Sequence, residues 1–200
     1  MKVYLIRHTS PDVPKGTCYG QTDVPVAPTF REEAAATLAA IPDIKFDKVY
    51  SSPLTRARLL ADYCGYPAPR LDNRLKELNF GRWEMQKYDE IDDPYIQEWY
   101  DNFVDAPIPG GESFHEMYDR VADFLDELKT RDFENVLIFA HRGVLACARV
   151  YAGLCDLRHA FENLIPFGGM LTIDMHIGVT SDVGHTGTAE DLTLGVCQRS

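Results

Sequence analysis

Two hundred residues with 45% hydrophobic content suit one domain with a sizeable core, and no stretch approaches the ~20 apolar residues of a membrane span. A formal charge of −11 argues against nucleic acid or an anionic membrane surface as partner. Five cysteines without C-x-x-C or zinc-finger spacing, and a first apolar run of only four residues, predict reduced thiols in the cytoplasm and no leader peptide.

The chain opens with Val3 to Ile6, a β-favouring apolar run bounded by charge, which predicts a strand buried on both faces of a sheet. The run ends in Arg7-His8, followed by small hydroxyl residues and Pro11. In an open parallel sheet, ligands bind beyond the carboxyl ends of the strands. A histidine there, beside a permanently charged guanidinium, is a candidate nucleophile with an anion-holding partner. Alone, such a histidine is more often structural; what gives it weight is that the pattern recurs.

Ser10 to Pro28 holds four prolines and two glycines without periodicity, which predicts a long loop containing Thr17, Tyr19 and Gln21. Thr29 to Glu32 reads as a capping box that starts a helix to about Ala40, with Ile41-Pro42-Asp43 as its stop. Phe46 to Ser52 predicts a second strand. Ser52 suits the N-cap and Pro53 the first helical position of the next helix, so Arg56 falls in its first turn, at the same sheet edge. Arg58 points elsewhere, to solvent.

Arg70-Leu71 suggests a short strand. From Asp72 to Gly111 the chain is irregular and rich in aromatics, namely Phe80, Trp83, Tyr88, Tyr95, Trp99, Tyr100 and Phe103, with a helix interrupted near Pro94. We expect a cap-like insertion at about 72–111 over the crevice, with about half of these rings packed on the main sheet instead. Ser113-x-x-Glu116 is a second capping box. Phe114, Met117, Val121, Leu125 and Leu128 then recur at helical spacing, which predicts an amphipathic helix to Lys129. His115, in its first turn, has a capping or surface role.

Asn135 to Ala140 repeats the opening pattern and runs into His141-Arg142-Gly143. If the two strands are parallel neighbours, His8 and His141 meet at one edge. Val144 to Leu154 follows as a helix whose start offers backbone N–H groups to an anion. Pro166 to Gly169 turns into a strand from Met170 to Ile177, and Gly178 to Asp191 is a polar loop before an edge strand at Thr193 to Cys197. His159, His176 and His185 match no motif. The alternation predicts a single domain over 1–200, a three-layer α/β fold with a mainly parallel central sheet and helices on both faces.

Arg7-His8-Thr9, Ser51 to Ala57, Glu77 to Glu84 and Ala140 to Gly143 resemble, in order, the motifs of the histidine phosphatase (phosphoglycerate mutase-like) superfamily. With the intervening segments the resemblance covers nearly the whole chain. Glu77 to Met85 is most similar to the α-ribazole phosphatases, which act in cobalamin nucleotide-loop assembly. The resemblance implies a phosphatase that works through a phosphohistidine at His8, with Glu77 as proton donor and His141 stabilising the transferring group. Arg7, Arg56, His141 and Arg142 would hold phosphate, and Thr17, Tyr19, Gln21, Phe80 and Trp83 would meet the rest of the substrate, α-ribazole 5′-phosphate.

The like charges of Arg7 and Arg56 favour the neutral imidazole that attack requires. An ordinary glutamate is ionised at neutral pH, so an acid role requires the site to favour the protonated Glu77. No Asp/His spacing suggests a metal, and no cofactor is expected. The expected partner is a small phosphorylated molecule, with a homodimer left open. Thr9 and Ser10, where many relatives have Gly-Glu, bear on the substrate rather than the reaction. A mutase returning phosphate to a sugar acid, and a non-catalytic phosphate-binding module, are the competing readings.

Overall fold

Alternation along two neighbouring strands organises the computed structural model, which describes residues 1–175. On β1 (Lys2–Arg7), Val3 and Leu5 enter one hydrophobic cluster while Ile6 enters another on the opposite face. On β4 (Asn135–Ala140), Val136, Ile138 and Ala140 go one way and Leu137 and Phe139 the other. Successive side chains of a strand point to opposite faces, so a continuous apolar run serves two cores at once.

Helices α1 (Phe30–Ala40) and α2 (Thr55–Tyr63) cover one face, contributing Ala34, Ala57, Leu60 and Ala61. The other face carries α4 (Phe114–Lys129) and α5 (Arg142–Tyr151), with the short α3 (Ile96–Asp101) adding Trp99 to the same cluster. Strands β2 (Lys48–Ser51), β3 (Arg70–Leu71) and β5 (Met170–Asp174) complete a five-stranded sheet of order β3-β2-β4-β1-β5. All pairings are parallel except β1 with β5. The expected three-layer α/β fold is therefore the one observed. The expected loop at 178–191, the strand at 193–197, and His176 and His185 lie outside the described residues. Among the described residues no helix is long and apolar enough to cross a membrane.

Helix starts show where local signals hold. Ser113 caps α4 as a full capping box: its Oγ accepts from Glu116 N at 3.1 Å while Glu116 Oε2 accepts from Ser113 N at 2.7 Å. The Thr29 box does not form. Its hydroxyl donates to Glu33 Oε1, and Glu33 Oε2 accepts from Ser10 N, so the hydroxyl turns to a side chain that a tertiary contact holds instead of capping the backbone. Nor does Ser52 cap α2, which starts three residues later. The loop residue Asp23 instead accepts from Thr55 N at 2.9 Å and from Thr55 Oγ1. Helix α5 starts earlier than expected because His141 is itself the N-cap.

The aromatic segment is also placed differently. Phe80, Trp83, Trp99 and Phe103 are buried in the α4/α5 core, and Tyr88, Tyr95 and Tyr100 pack against it. Trp83 and Trp99 meet edge to face with centroids 5.3 Å apart, and Trp83 Nε1 donates to Asp93 Oδ2 at 2.9 Å. An irregular stretch has no periodicity to say which way its rings point, and the burial of apolar area decides it. Trp83→Ala should therefore cost about 3–5 kcal/mol of stability, as expected for a buried Trp, read by urea unfolding. A stable variant defective only in substrate binding would contradict this placement.

Candidate active site

Strand register brings the site together. Arg7 of β1 pairs with Ala140 of β4, and Phe139 pairs with Ser51 of β2, so His8, His141 and Ser52 leave their strands at one edge. His8 N donates to Ala140 O at 3.0 Å and Ser52 N to Phe139 O at 2.9 Å. The imidazole centroids lie 5.1 Å apart, and His8 is 1% and His141 0% exposed.

Each ring is fixed through one nitrogen. His8 Nδ1 lies 2.6 Å from the carbonyl oxygen of Thr9. A carbonyl can only accept, so Nδ1 carries the proton and Nε2 keeps its lone pair. That Nε2 is buried and has no hydrogen-bond partner among the described residues. His141 Nε2 meets Ser52 Oγ at 2.7 Å, leaving its Nδ1 buried and, among the described residues, without a partner. Burial, then Arg56 and Arg7, push His8 well below the ordinary imidazole range; burial, then Arg56, His8, Arg120 and Arg7, do the same to His141. The His8 imidazole is thereby held neutral.

Arg56, fully buried in the first turn of α2, donates to Thr22 O at 2.9 Å and Gly20 O at 2.5 Å, and its guanidinium lies 5.2 Å from the Tyr19 ring centre. Arg7 donates to Ile165 O at 2.8 Å and stacks 3.8 Å from the centre of the Phe167 ring, which also tilts against His8. Burial lowers the pKa of both guanidiniums, while Tyr19 and Glu77 oppose it. Nε of each is buried without a partner among the described residues. Unpaired buried donors cost about 1–3 kcal/mol each, a cost that phosphate oxygens would relieve.

Glu77 sits at the start of α5. Its Oε1 accepts from Leu78 N at 3.0 Å and Gly143 N at 3.1 Å, while Oε2 has only a 3.3 Å approach from Gly143 N. The anion expected at this helix terminus is thus the protein's own carboxylate. A Cβ at residue 143 would lie 2.4 Å from Glu77 Oε1 and 2.8 Å from Met117 Cε, so a larger residue would have to push these side-chain ends aside. The peptide carrying Glu77 is held by Arg120, which donates to the carbonyls of Arg74, Lys76 and Glu77 and pairs with Glu112 at 2.6 Å.

The structure thus brings Arg7, His8, Arg56, Glu77 and His141 together, with Tyr19 beside them. Thr17 and Tyr19 help line an adjoining cavity of about 140 Å³ together with Ser10, Pro11, Lys15 and Phe167, among others. Gln21 does not face it: its N–H goes to Glu84 and its Nε2 to Glu77 O. The Arg142 guanidinium lies 5.7 Å from the Phe161 ring centre and lines a separate recess, although phosphate binding was expected of it. Phe80 and Trp83, expected to meet substrate, are core residues. Sequence reasoning missed Ser52 as the partner of His141, Phe167, and the Glu112–Arg120 pair. Phe167 is a lone aromatic in a turn and leaves no pattern to find.

Residues 3–175 match the histidine phosphatase superfamily (branch 1), and the chain belongs to that family. It is 31% identical over 152 residues to "Putative phosphoserine phosphatase 2" of Hydrogenobacter thermophilus, covering 72% of this chain and 74% of that one. To "Probable phosphoglycerate mutase GpmB" of Escherichia coli it is 28% identical over 158 residues, 74% of this chain and 72% of the relative. The crystal structure of phosphoglycerate mutase from Thermus thermophilus superposes with a TM-score of 0.71 at 29% identity, covering 93% of this chain and all of that one. Phosphatase or mutase-like activity is what such relatives share.

The buried imidazoles have a consequence for stability. In the unfolded chain both titrate near ~6.5; in the folded protein both stay neutral well below that. Below the unfolded value the unfolded chain binds protons that the folded chain does not, so the stability from neutral burial is present above it and lost as pH falls. Folding free energy should drop between neutral and mildly acidic pH by up to about 1.4 kcal/mol per pH unit for each histidine. His141→Gln should remove its share of that slope in urea titrations made in a His115→Gln background, since His115 is shifted upward by Asp105 and acts oppositely. An unchanged slope would mean that His141 protonates in place.

Proposed function

We propose that this chain is a phosphomonoester hydrolase working through a phosphohistidine at Nε2 of His8. The observation that carries this reading is the Nδ1–Thr9 hydrogen bond, which leaves a bare, neutral Nε2 beside two buried guanidiniums. The Nε2 lone pair forms the N–P bond as the ester P–O bond breaks. Arg7 and Arg56 hold the non-bridging oxygens, and the His141 ring stabilises their charge. The departing alkoxide takes a proton from Oε2 of Glu77, which the scheme requires to be protonated once substrate is bound; Oε2 is the carboxyl oxygen that the two close backbone N–H groups leave available. Glu77 then accepts a proton from water as the water oxygen attacks phosphorus and Nε2 leaves, which releases phosphate and restores the enzyme.

The test is to trap the protein with an aryl phosphate in the presence of EDTA, denature it without acid, and map the phosphate. We expect it on His8, with turnover abolished in His8→Ala. Phosphate on another residue, or a divalent-ion requirement for labelling, would overturn the arginine-and-histidine mechanism. In the same assay Glu77→Gln should slow phosphoenzyme formation from an alkyl ester more than from p-nitrophenyl phosphate, whose leaving group needs no proton.

For the substrate, the specific reading is α-ribazole 5′-phosphate, in a cobalamin-related role. Its support is the resemblance of Glu77 to Met85 to that branch. Stacking of the base cannot come from Trp83 or Trp99, which are in the core. The rings beside His8 are Tyr19 and Phe167. The cavity they help line is about the size of an engineered one, ~150 Å³, that binds benzene. It would enclose one ring and leave the rest of the base against its rim. On this reading kcat/KM is higher for α-ribazole 5′-phosphate than for phosphoserine or 3-phosphoglycerate, and Phe167→Ala narrows the difference. A better rate with either small acid would remove the cobalamin assignment and leave the hydrolase standing.

A further inference from the structure

Residues 20–22 form a short arch with two polar sides, and the sides have different occupants. The N–H groups of Gly20, Gln21 and Thr22 all point to the carboxylate of Glu84, at 3.0, 2.9 and 3.1 Å, and the Thr22 hydroxyl adds a fourth bond at 2.6 Å. Phe80 N supplies a fifth at 3.1 Å. The carbonyls of Gly20 and Thr22 accept from the guanidinium of Arg56. Neither side has slack at Gly20, where a Cβ would lie 1.8 Å from Leu78 O and 2.7 Å from Glu84 Oε1.

This arrangement limits what the arch can do. Three successive N–H groups are a ready anion site, and a loop in this position invites the reading that it cradles phosphate. Here Glu84 already holds all three. What the arch contributes is therefore its carbonyls, and through them the direction of Arg56. Arg56 needs that help because it enters from α2 on a flexible stem and is fully buried.

We propose that Glu84 is a positioning residue that sets the aim of Arg56 through the arch at residues 20–22. The proposal rests on the hydrolase reading above, since it assigns Arg56 to the transferring phosphoryl group. Without the carboxylate, five donors lose their acceptor, the arch relaxes and its carbonyls no longer hold the guanidinium in place. Misplacement of a catalytic contact by about an ångström can cost on the order of a hundredfold in rate.

The experiment is a double-mutant cycle of Glu84→Gln and Arg56→Ala, read by kcat/KM on p-nitrophenyl phosphate and by the Kd for vanadate, with a thermal melt for each variant. We expect Glu84→Gln alone to lower kcat/KM and weaken vanadate binding by about ten- to a hundredfold. In the Arg56→Ala background the same change should cost no more than about twofold, because the residue it acts through is gone. A merely structural role would multiply through both backgrounds alike, and that result, or unchanged vanadate binding in Glu84→Gln, overturns the proposal. If Glu84→Gln does not fold, Thr22→Val removes one of the five bonds and should give a smaller loss with the same dependence on Arg56. A wild-type protein that neither binds vanadate nor hydrolyses an ester would bring down the hydrolase reading and this proposal with it. Normal turnover with multiplying factors removes only the proposal.

Discussion

Two guanidiniums taken out of water are the constraint on which the rest of this site depends. Arg56 is fully buried and Arg7 nearly so, and neither ends in a conventional salt bridge. An unpaired buried cation would be strongly destabilising. The surrounding segments relieve that cost with backbone carbonyls: Gly20 and Thr22 for Arg56, Ile165 for Arg7. Aromatic faces add to this, since Phe167 lies under Arg7 and Tyr19 under Arg56. Loops without secondary structure of their own thus have a defined shape because a charge needs their oxygens.

The same constraint maintains a locally positive site within a chain of net charge −11. Glu77 and Glu84 lie close enough to influence Arg56, and Glu77 also influences Arg7. Both carboxylates are tied to backbone N–H groups, Glu77 at the start of α5 and Glu84 at the arch. They temper the field of the arginines while leaving the guanidinium Nε groups without a partner among the described residues. Screening at physiological salt acts over roughly 8 Å, so the acidic exterior weighs less on these guanidiniums than their direct contacts do.

Much of this was legible in the sequence, for identifiable reasons. Strands β1 and β4 announced themselves because short, β-favouring apolar runs, too short for a helix, suit a sheet buried on both faces. Their parallel pairing then forces His8 and His141 together. The Ser113 box worked because all its partners lie within four residues. What could not be read were groups whose partners are distant in sequence. Glu33 joins its own helix start to Ser10, Asp23 caps a helix that begins at Thr55, and Glu84 binds residues 20–22. Phe80 and Trp83 were misplaced because an irregular segment does not say which side of its rings is inside. Phe167 was missed because one aromatic in a turn is ordinary until β5 brings it against His8.

That last placement has a bearing on how such a protein can change over time. The groups proposed to handle phosphorus sit at strand ends and helix starts, locked by register and by buried bonds. Phe167 belongs to the connection between α5 and β5, where Gly168 N reaches the carbonyls of Arg7 and His8 and the turn closes through Gly169 N to Pro166 O. The backbone of that connection is anchored at Arg7 and His8, while its Phe167 side chain forms part of the cavity wall. Drift at a single codon would therefore reshape the chamber and, because the same ring lies under Arg7 and beside His8, would reach the buried charges as well, which ties the shape of the chamber to the groups beside it.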